Sequence, residues 1–222
     1  MRIATVGPHN RVEELKQKVS STHELIEVKN NQFEGYDLIF DLSFDEAPDR
    51  LSHYSSLTDI PVIVCAVNTT IEQAINASTT QVQCALYGIN SLPTFINRGL
   101  AEMTSLKEDL KPQVEMIFEK MEWDIKWVES RVVLVTPRII CMIINEAYYT
   151  VQEGTATKEA IDVGMKLGTA YPKGPFEWAD QIGIESVYNM LDSIYADTRD
   201  ERYKICPLLK KEYLQQQMAL ND

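Results

Sequence analysis

Apolar positions along the first third of the chain come in short continuous runs separated by helical-period stretches. Arg2–Gly7, "RIATVG", predicts a strand, Asn10–Ser20, "NRVEELKQKVS", an amphipathic helix, and His23–Val28 a second strand. After "YDLIFDLS" (Tyr36–Ser43), a polar helix is expected around Asp45–Leu57, then a strand over Pro61–Val67. A helix at Thr70–Asn76 and a short strand at Gln83–Gly88 follow. Buried β-branched strands alternating with helices predict a parallel α/β sheet covered on both faces. One link is short: only Lys29–Gly35 joins the second strand to the third. Seven extended residues span roughly 23 Å, which returns the chain across one strand but builds no helix. Either that crossover is bare or the pair is antiparallel.

From about Pro112 the period becomes helical. "KPQVEMIFEKMEW" (Lys111–Trp123) is amphipathic, and "DIKWVES" (Asp124–Ser130) is a candidate edge strand. Leu134–Gly154 is a long apolar helix with Pro137 in its first turn and Gly154 at its C-terminal cap. The next helix takes Thr157 as N-cap and Gly168 as stop. In "YPKGPFEWADQIGI" (Tyr171–Ile184), Pro175 suits the first helical position and Gly183 the position past the last turn. Glu177 and Asp180 lie near the positive end of the dipole, and Phe176, Trp178 and Ile182 face inward. Helices over Ile184–Ala196 and Pro207–Met218 complete the chain. The expected fold is α/β plus all-α: a shortened Rossmann-like parallel-sheet domain at 1–130 and a helical C-terminal domain at 131–222.

Composition narrows the partners. The 222 residues carry a net charge of −12 with no long run of Lys or Arg, which argues against nucleic acid or an anionic membrane surface. No apolar run approaches the ~20 residues needed to span a bilayer, and the N-terminus lacks a signal-peptide layout. Cys65, Cys84, Cys141 and Cys206 form no C-x-x-C pair, as expected of reduced thiols in a cytoplasmic protein. His9, His23 and His53 show no metal-ligand spacing, so no metal site is expected. Met103, Met116 and Met121 are expected to fill core gaps.

Ile144–Leu191 carries N-E-A on a helix, E-G-x-A, E-x-I-D-x-x-M-K-x-G and Y-P-x-G-P-F-E-x-A-D-x-I-G, in that order. This segment resembles the C-terminal helical domain of the 3-hydroxyacyl-CoA dehydrogenase family. "VNTT" (Val67–Thr70), "NASTTQVQCALYGIN" (Asn76–Asn90) and "GLAE" (Gly99–Glu102) extend the resemblance backwards. It implies an NAD-binding Rossmann domain that presents the nicotinamide to C3 of a hydroxyacyl thioester. A His takes the hydroxyl proton and a Glu orients that His. The resemblance further implies a homodimer formed through the C-terminal domain, a use supported by the apolar character of the long Leu134–Tyr149 stretch.

Mapped onto this chain, the resemblance places Tyr87 at the catalytic His, Glu102 at the orienting Glu and Thr70 at the family's Ser. Asn90 and Arg138 fall at substrate-binding positions, while Pro137 stands where the family has Asn. Of the G-x-G-x-x-G fingerprint, "GPHNRV" keeps Gly7, with His9 and Val12 at the other two glycine positions. At the end of the second strand, "EVKN" offers Lys29, or Glu27, where an acid would hold the ribose. A phenol of ordinary pKa near 10 is about one-thousandth ionised at neutral pH. These departures imply a family protein degenerate as a dehydrogenase, acting in acyl-CoA binding or as a dimeric interaction module. No bound cofactor is expected, and NAD is implied by the resemblance alone. The alternative is an active NAD-dependent 3-hydroxyacyl-CoA dehydrogenase of fatty-acid metabolism with a non-standard base.

Overall fold

The continuous apolar runs become strands apolar on both faces. In the computed structural model, described over residues 1–19 and 21–220, β1 (Arg2–Val6), β2 (Glu24–Glu27), β3 (Leu38–Asp41), β4 (Val62–Cys65) and β5 (Leu86–Ile89) are all parallel. β6 (Leu100–Ser105) returns antiparallel to β5, and β7 (Asp124–Trp127) closes the edge parallel to β6. The seven-stranded order is β2-β1-β3-β4-β5-β6-β7. Every residue of β3, β4 and β5 is buried, as a sheet covered on both faces requires. β6 was not expected from the sequence.

Two helix layers cover the sheet. α1 (His9–Lys18) and α4 (Lys111–Lys120) insert Val12, Leu15, Val114 and Phe118 into one core. α2 (Leu51–Tyr54) and α3 (Ile71–Ala77) insert Leu51, Tyr54, Ile71 and Ala74 into the other. Ser20, the end of the expected first helix, lies outside the described residues. The single polar helix expected over Asp45–Leu57 is instead two 3-10 turns, Phe44–Glu46 and Pro48–Arg50, followed by the one turn of α2. Pro48 lacks the N–H a continuous helix would need and holds Ala47 out of helical geometry, at φ −150°.

The short β2–β3 link is a bare crossover, because both strands pair with β1 on opposite sides. Phe33, buried in this link, meets the Tyr54 ring at 5.2 Å, and Arg2 holds the Gly35 carbonyl at 3.0 Å. A single aromatic thus does part of the covering that a crossover helix would do. Met103 and Met121 fill the core as expected, but Met116 is 58% exposed, on the outer side of α4.

The chain forms two compact units, Met1–Leu134 and Val135–Asp222. In the second, α5 (Thr136–Gln152) buries Ile140, Cys141, Ile144, Asn145, Ala147 and Tyr148 along one stripe. α7 (Pro175–Ile182), α8 (Ile184–Thr198) and α9 (Pro207–Leu220) pack on it, and α6 (Lys158–Thr169) lies against α7. Thr157 caps α6 by accepting from the Ala160 N–H. Gly168 is not the stop: the helix runs to Thr169, and Ala170 takes the left-handed turn at φ 57°. Gly154, at φ 73°, follows the C-cap of α5.

Candidate active-site residues and the helical-domain motif

The strand order reverses at β1, so the crevice between the C-terminal ends of β1 and β3 is where an open α/β sheet offers a ligand site. Gly7 sits at its floor with φ 150°, and a Cβ there would come within 2.9 Å of the Leu42 Cβ. Close approach of the segments after β1 and β3 therefore requires glycine at this position. Pro8 caps α1 without a side-chain hydrogen bond. His9 is exposed beside Glu13, whereas Val12 is buried beneath the helix.

Asp45, in the first 3-10 turn, accepts from the N–H groups of Val67 (2.8 Å) and Thr69 (3.0 Å) and faces the Cys65 thiol at 3.5 Å. Burial pushes its carboxyl up to about 6, and the backbone donors only partly oppose that. The folded protein then holds this proton more tightly than the unfolded chain does. The associated stability is complete below the unfolded value near 4 and is lost as pH rises through about 6. Relative to Asp45→Asn, the wild type is expected to lose on the order of 2 kcal/mol between about pH 4 and pH 6.5, read from urea midpoints. A pH-independent difference between the two proteins would exclude this.

Thr70 is the N-cap of α3 in a capping box: its hydroxyl accepts from Gln73 N–H at 3.2 Å, and Gln73 returns the bond at 2.9 Å. Asn90 is buried and accepts from Leu92 N–H at 3.2 Å. Tyr87 is fully buried in the core under α4. Its hydroxyl donates to the Leu110 carbonyl at 2.7 Å, with Gln113 at 3.3 Å. Burial and then the charge of Asp109 push that phenol up to about 12. Arg98, a cation that could have lowered it, lies 4.2 Å over the Phe95 ring and donates to the Thr94 carbonyl.

Side-chain alternation separates Glu102 from Tyr87. Ala101 and Met103 of β6 point into the core that contains Tyr87. Glu102, between them, projects from the opposite face of the sheet. Thr70 heads α3 on that opposite face. The positions assigned to base, orienting carboxylate and hydroxyl are therefore not brought together around one point. In the second unit, half-buried Arg138 donates to the Tyr203 hydroxyl at 3.2 Å and lies 5.7 Å from its ring centroid. No group of His, Cys, Asp and Glu with metal-holding geometry occurs among the described residues.

The motif of the helical domain resolves into mutual support. Asp162 of α6 accepts from the N–H groups of Phe176 (2.9 Å) and Glu177 (3.2 Å) at the start of α7. Glu177 accepts from Gly174 N–H at 3.0 Å and pairs with Lys166. Asn145 donates to the Lys204 carbonyl (3.0 Å) and accepts from Cys206 N–H (2.9 Å), which ties α5 to the segment entering α9. The I-D, M-K, G-P-F-E and N-E-A positions thus hold helices together.

A Rossmann-like unit is thus followed by an all-α unit. The profile of the 3-hydroxyacyl-CoA dehydrogenase C-terminal domain matches residues 134–219. A probable 3-hydroxybutyryl-CoA dehydrogenase of Bacillus subtilis (strain 168) is 33% identical over 159 residues, 68% of this chain and 54% of that protein. A 3-hydroxybutyryl-CoA dehydrogenase of Clostridioides difficile is 27% identical over 207 residues, 89% of this chain and 71% of that one. The chain thus spans about half the length of the B. subtilis relative. Among solved structures, Mycobacterium tuberculosis FadB2 superimposes with a TM-score of 0.77 at 15% identity, over 97% of this chain and 94% of that one. The (S)-3-hydroxybutyryl-CoA dehydrogenase of Ralstonia eutropha gives 0.72 at 17% identity, over 95% and 92%. The chain belongs to the 3-hydroxyacyl-CoA dehydrogenase family. Among the described residues no helix is long and apolar enough to cross a membrane.

Proposed function

We propose that this family member does not oxidise a 3-hydroxyacyl thioester by the family's route and instead serves as a homodimeric acyl-CoA-binding protein. The observation that carries the reading is the commitment of Tyr87: its phenol is buried, driven up to about 12 and bonded to the Leu110 carbonyl. Glu102 leaves the sheet from the other face. Loss of general-base help removes roughly 10²–10⁴ in rate. Membership of the family, through the matched C-terminal domain, supports acyl-CoA as the ligand class. Purified protein incubated with NADH and acetoacetyl-CoA is expected to show no change at the nicotinamide band from about pH 6 to pH 10. Calorimetry with acetoacetyl-CoA alone is expected to show saturable heat. Turnover of the thioester would establish the alternative, an active NAD-dependent dehydrogenase with a non-standard base.

The homodimer is proposed to form through the C-terminal unit. α6 buries none of its residues, and Val163 and Leu167 on it are 51% and 83% exposed. Leu167→Glu is expected to convert a micromolar dimer to monomer in sedimentation equilibrium. A wild-type monomer at that concentration would refute the assembly.

A further inference from the structure

The family implies NAD, and the crevice at the ends of β1 and β3 does not fit it. A dinucleotide's diphosphate lies on backbone N–H groups at the first turn of the first helix, over glycines that let it approach. Here Pro8 supplies no N–H, and His9 carries an exposed ring at the second glycine position. In the usual order two further strands lie beyond β1 on the adenosine side, whereas only β2 does here. The more telling feature lies beneath the turn. Arg11, on α1, has a side chain only 8% exposed. Its guanidinium reaches across the crevice to the Leu42 carbonyl at 2.6 Å and to the Glu46 carboxylate at 2.7 Å. The Ser91 hydroxyl donates to the same Leu42 carbonyl at 3.1 Å.

We infer that Arg11 clamps this crevice shut from within, so that the first unit takes no dinucleotide. A guanidinium could in principle recruit a diphosphate, but this one faces inward and its charge is already matched by Glu46. The chain's own carboxylate occupies the counter-charge role that a diphosphate would fill. Freeing the guanidinium would leave the Glu46–Leu42 end of the loop after β3 without its donor. The inference stands apart from acyl-CoA binding, because it concerns the first unit alone and requires no thioester.

The test uses the whole chain without acyl-CoA. Calorimetry and nicotinamide fluorescence with NADH, NAD and ADP-ribose up to about 1 mM are expected to show no saturable signal. Saturation by any of them below that concentration overturns the inference, whether or not the protein turns over a thioester. The clamp itself is read by hydrogen exchange over Leu42–Glu46. Arg11→Met is expected to raise exchange there by about threefold or more while leaving α5 unchanged. Should that variant fail to fold, Glu46→Gln keeps the Leu42 bond and reads the same segment. Unaltered exchange over Leu42–Glu46 in the folded variant shows that Arg11 closes nothing.

Discussion

Asp41→Ala is expected to destabilise the first unit by about 3–5 kcal/mol, the range for leaving one partner of a buried ion pair without its mate. Asp41, at the end of β3, is fully buried. It accepts from Arg50 Nε (2.8 Å) and Nη2 (2.7 Å), from the Tyr54 hydroxyl (2.8 Å) and from Ser43 N–H (3.1 Å). Arg50, only 20% exposed, also donates to the Ser43 hydroxyl. Removing the carboxylate strands a half-buried guanidinium and a buried phenol together, since burial followed by Asp41's charge keeps Tyr54 firmly protonated. Asp41→Asn still accepts from Tyr54 and Ser43 but cannot match the charge, so its loss should be smaller. Removing both partners, as in Asp41→Leu with Arg50→Met, should cost less than Asp41→Ala alone. Urea unfolding reported by Trp123 and Trp127, which lie in the first unit, measures all three. A loss under about 1 kcal/mol for Asp41→Ala would mean that the network is solvated rather than structural.

This network shows why parts of the molecule were legible in the sequence and others were not. β3 and β4 stand out because strands buried on both faces are written as continuous apolar runs, which need no knowledge of their neighbours. The same is true of α5, whose stripe recurs at helical spacing. The Asp45–Leu57 stretch misled because its polar periodicity continues through Pro48, where the backbone breaks. β6 was missed because Gly99 and exposed Leu100 weaken its start. Its register against β5 depends on the return through residues 90–99. That register decides which face Glu102 leaves, so no local pattern could separate it from Tyr87. Nor could Tyr87's acceptor be foreseen, since Leu110 lies on a later turn. Arg11 did carry a signal. It stands at the spacing of the Leu15 and Val19 stripe, and a charge on the core-facing side of an amphipathic helix calls for a buried partner.

Gly174→Ala tests whether the helical-domain motif encodes shape. Gly174 has φ −73°, a conformation open to any residue, so backbone freedom does not explain it. Contact does: a Cβ at this position would fall directly on the Asp162 carboxyl. Asp162 cannot yield without releasing the Phe176 and Glu177 N–H groups, each bond contributing about 1 kcal/mol at a helix N-terminus. Overpacking adds about 1–3 kcal/mol, so a total loss of about 3–5 kcal/mol is expected. Trp178, buried on α7, is the only tryptophan of the second unit and reports the transition. Asp162→Ala makes room for the methyl group but forfeits the caps, and should lose about 2 kcal/mol. The double variant should then be close to Asp162→Ala alone, because the clash has gone with the carboxylate. Strictly additive losses would instead place the strain elsewhere. Near-coincidence would show that Asp162, Gly174 and Glu177 are one joint between α6 and α7. Such a joint is needed by the fold whether or not any hydride is transferred.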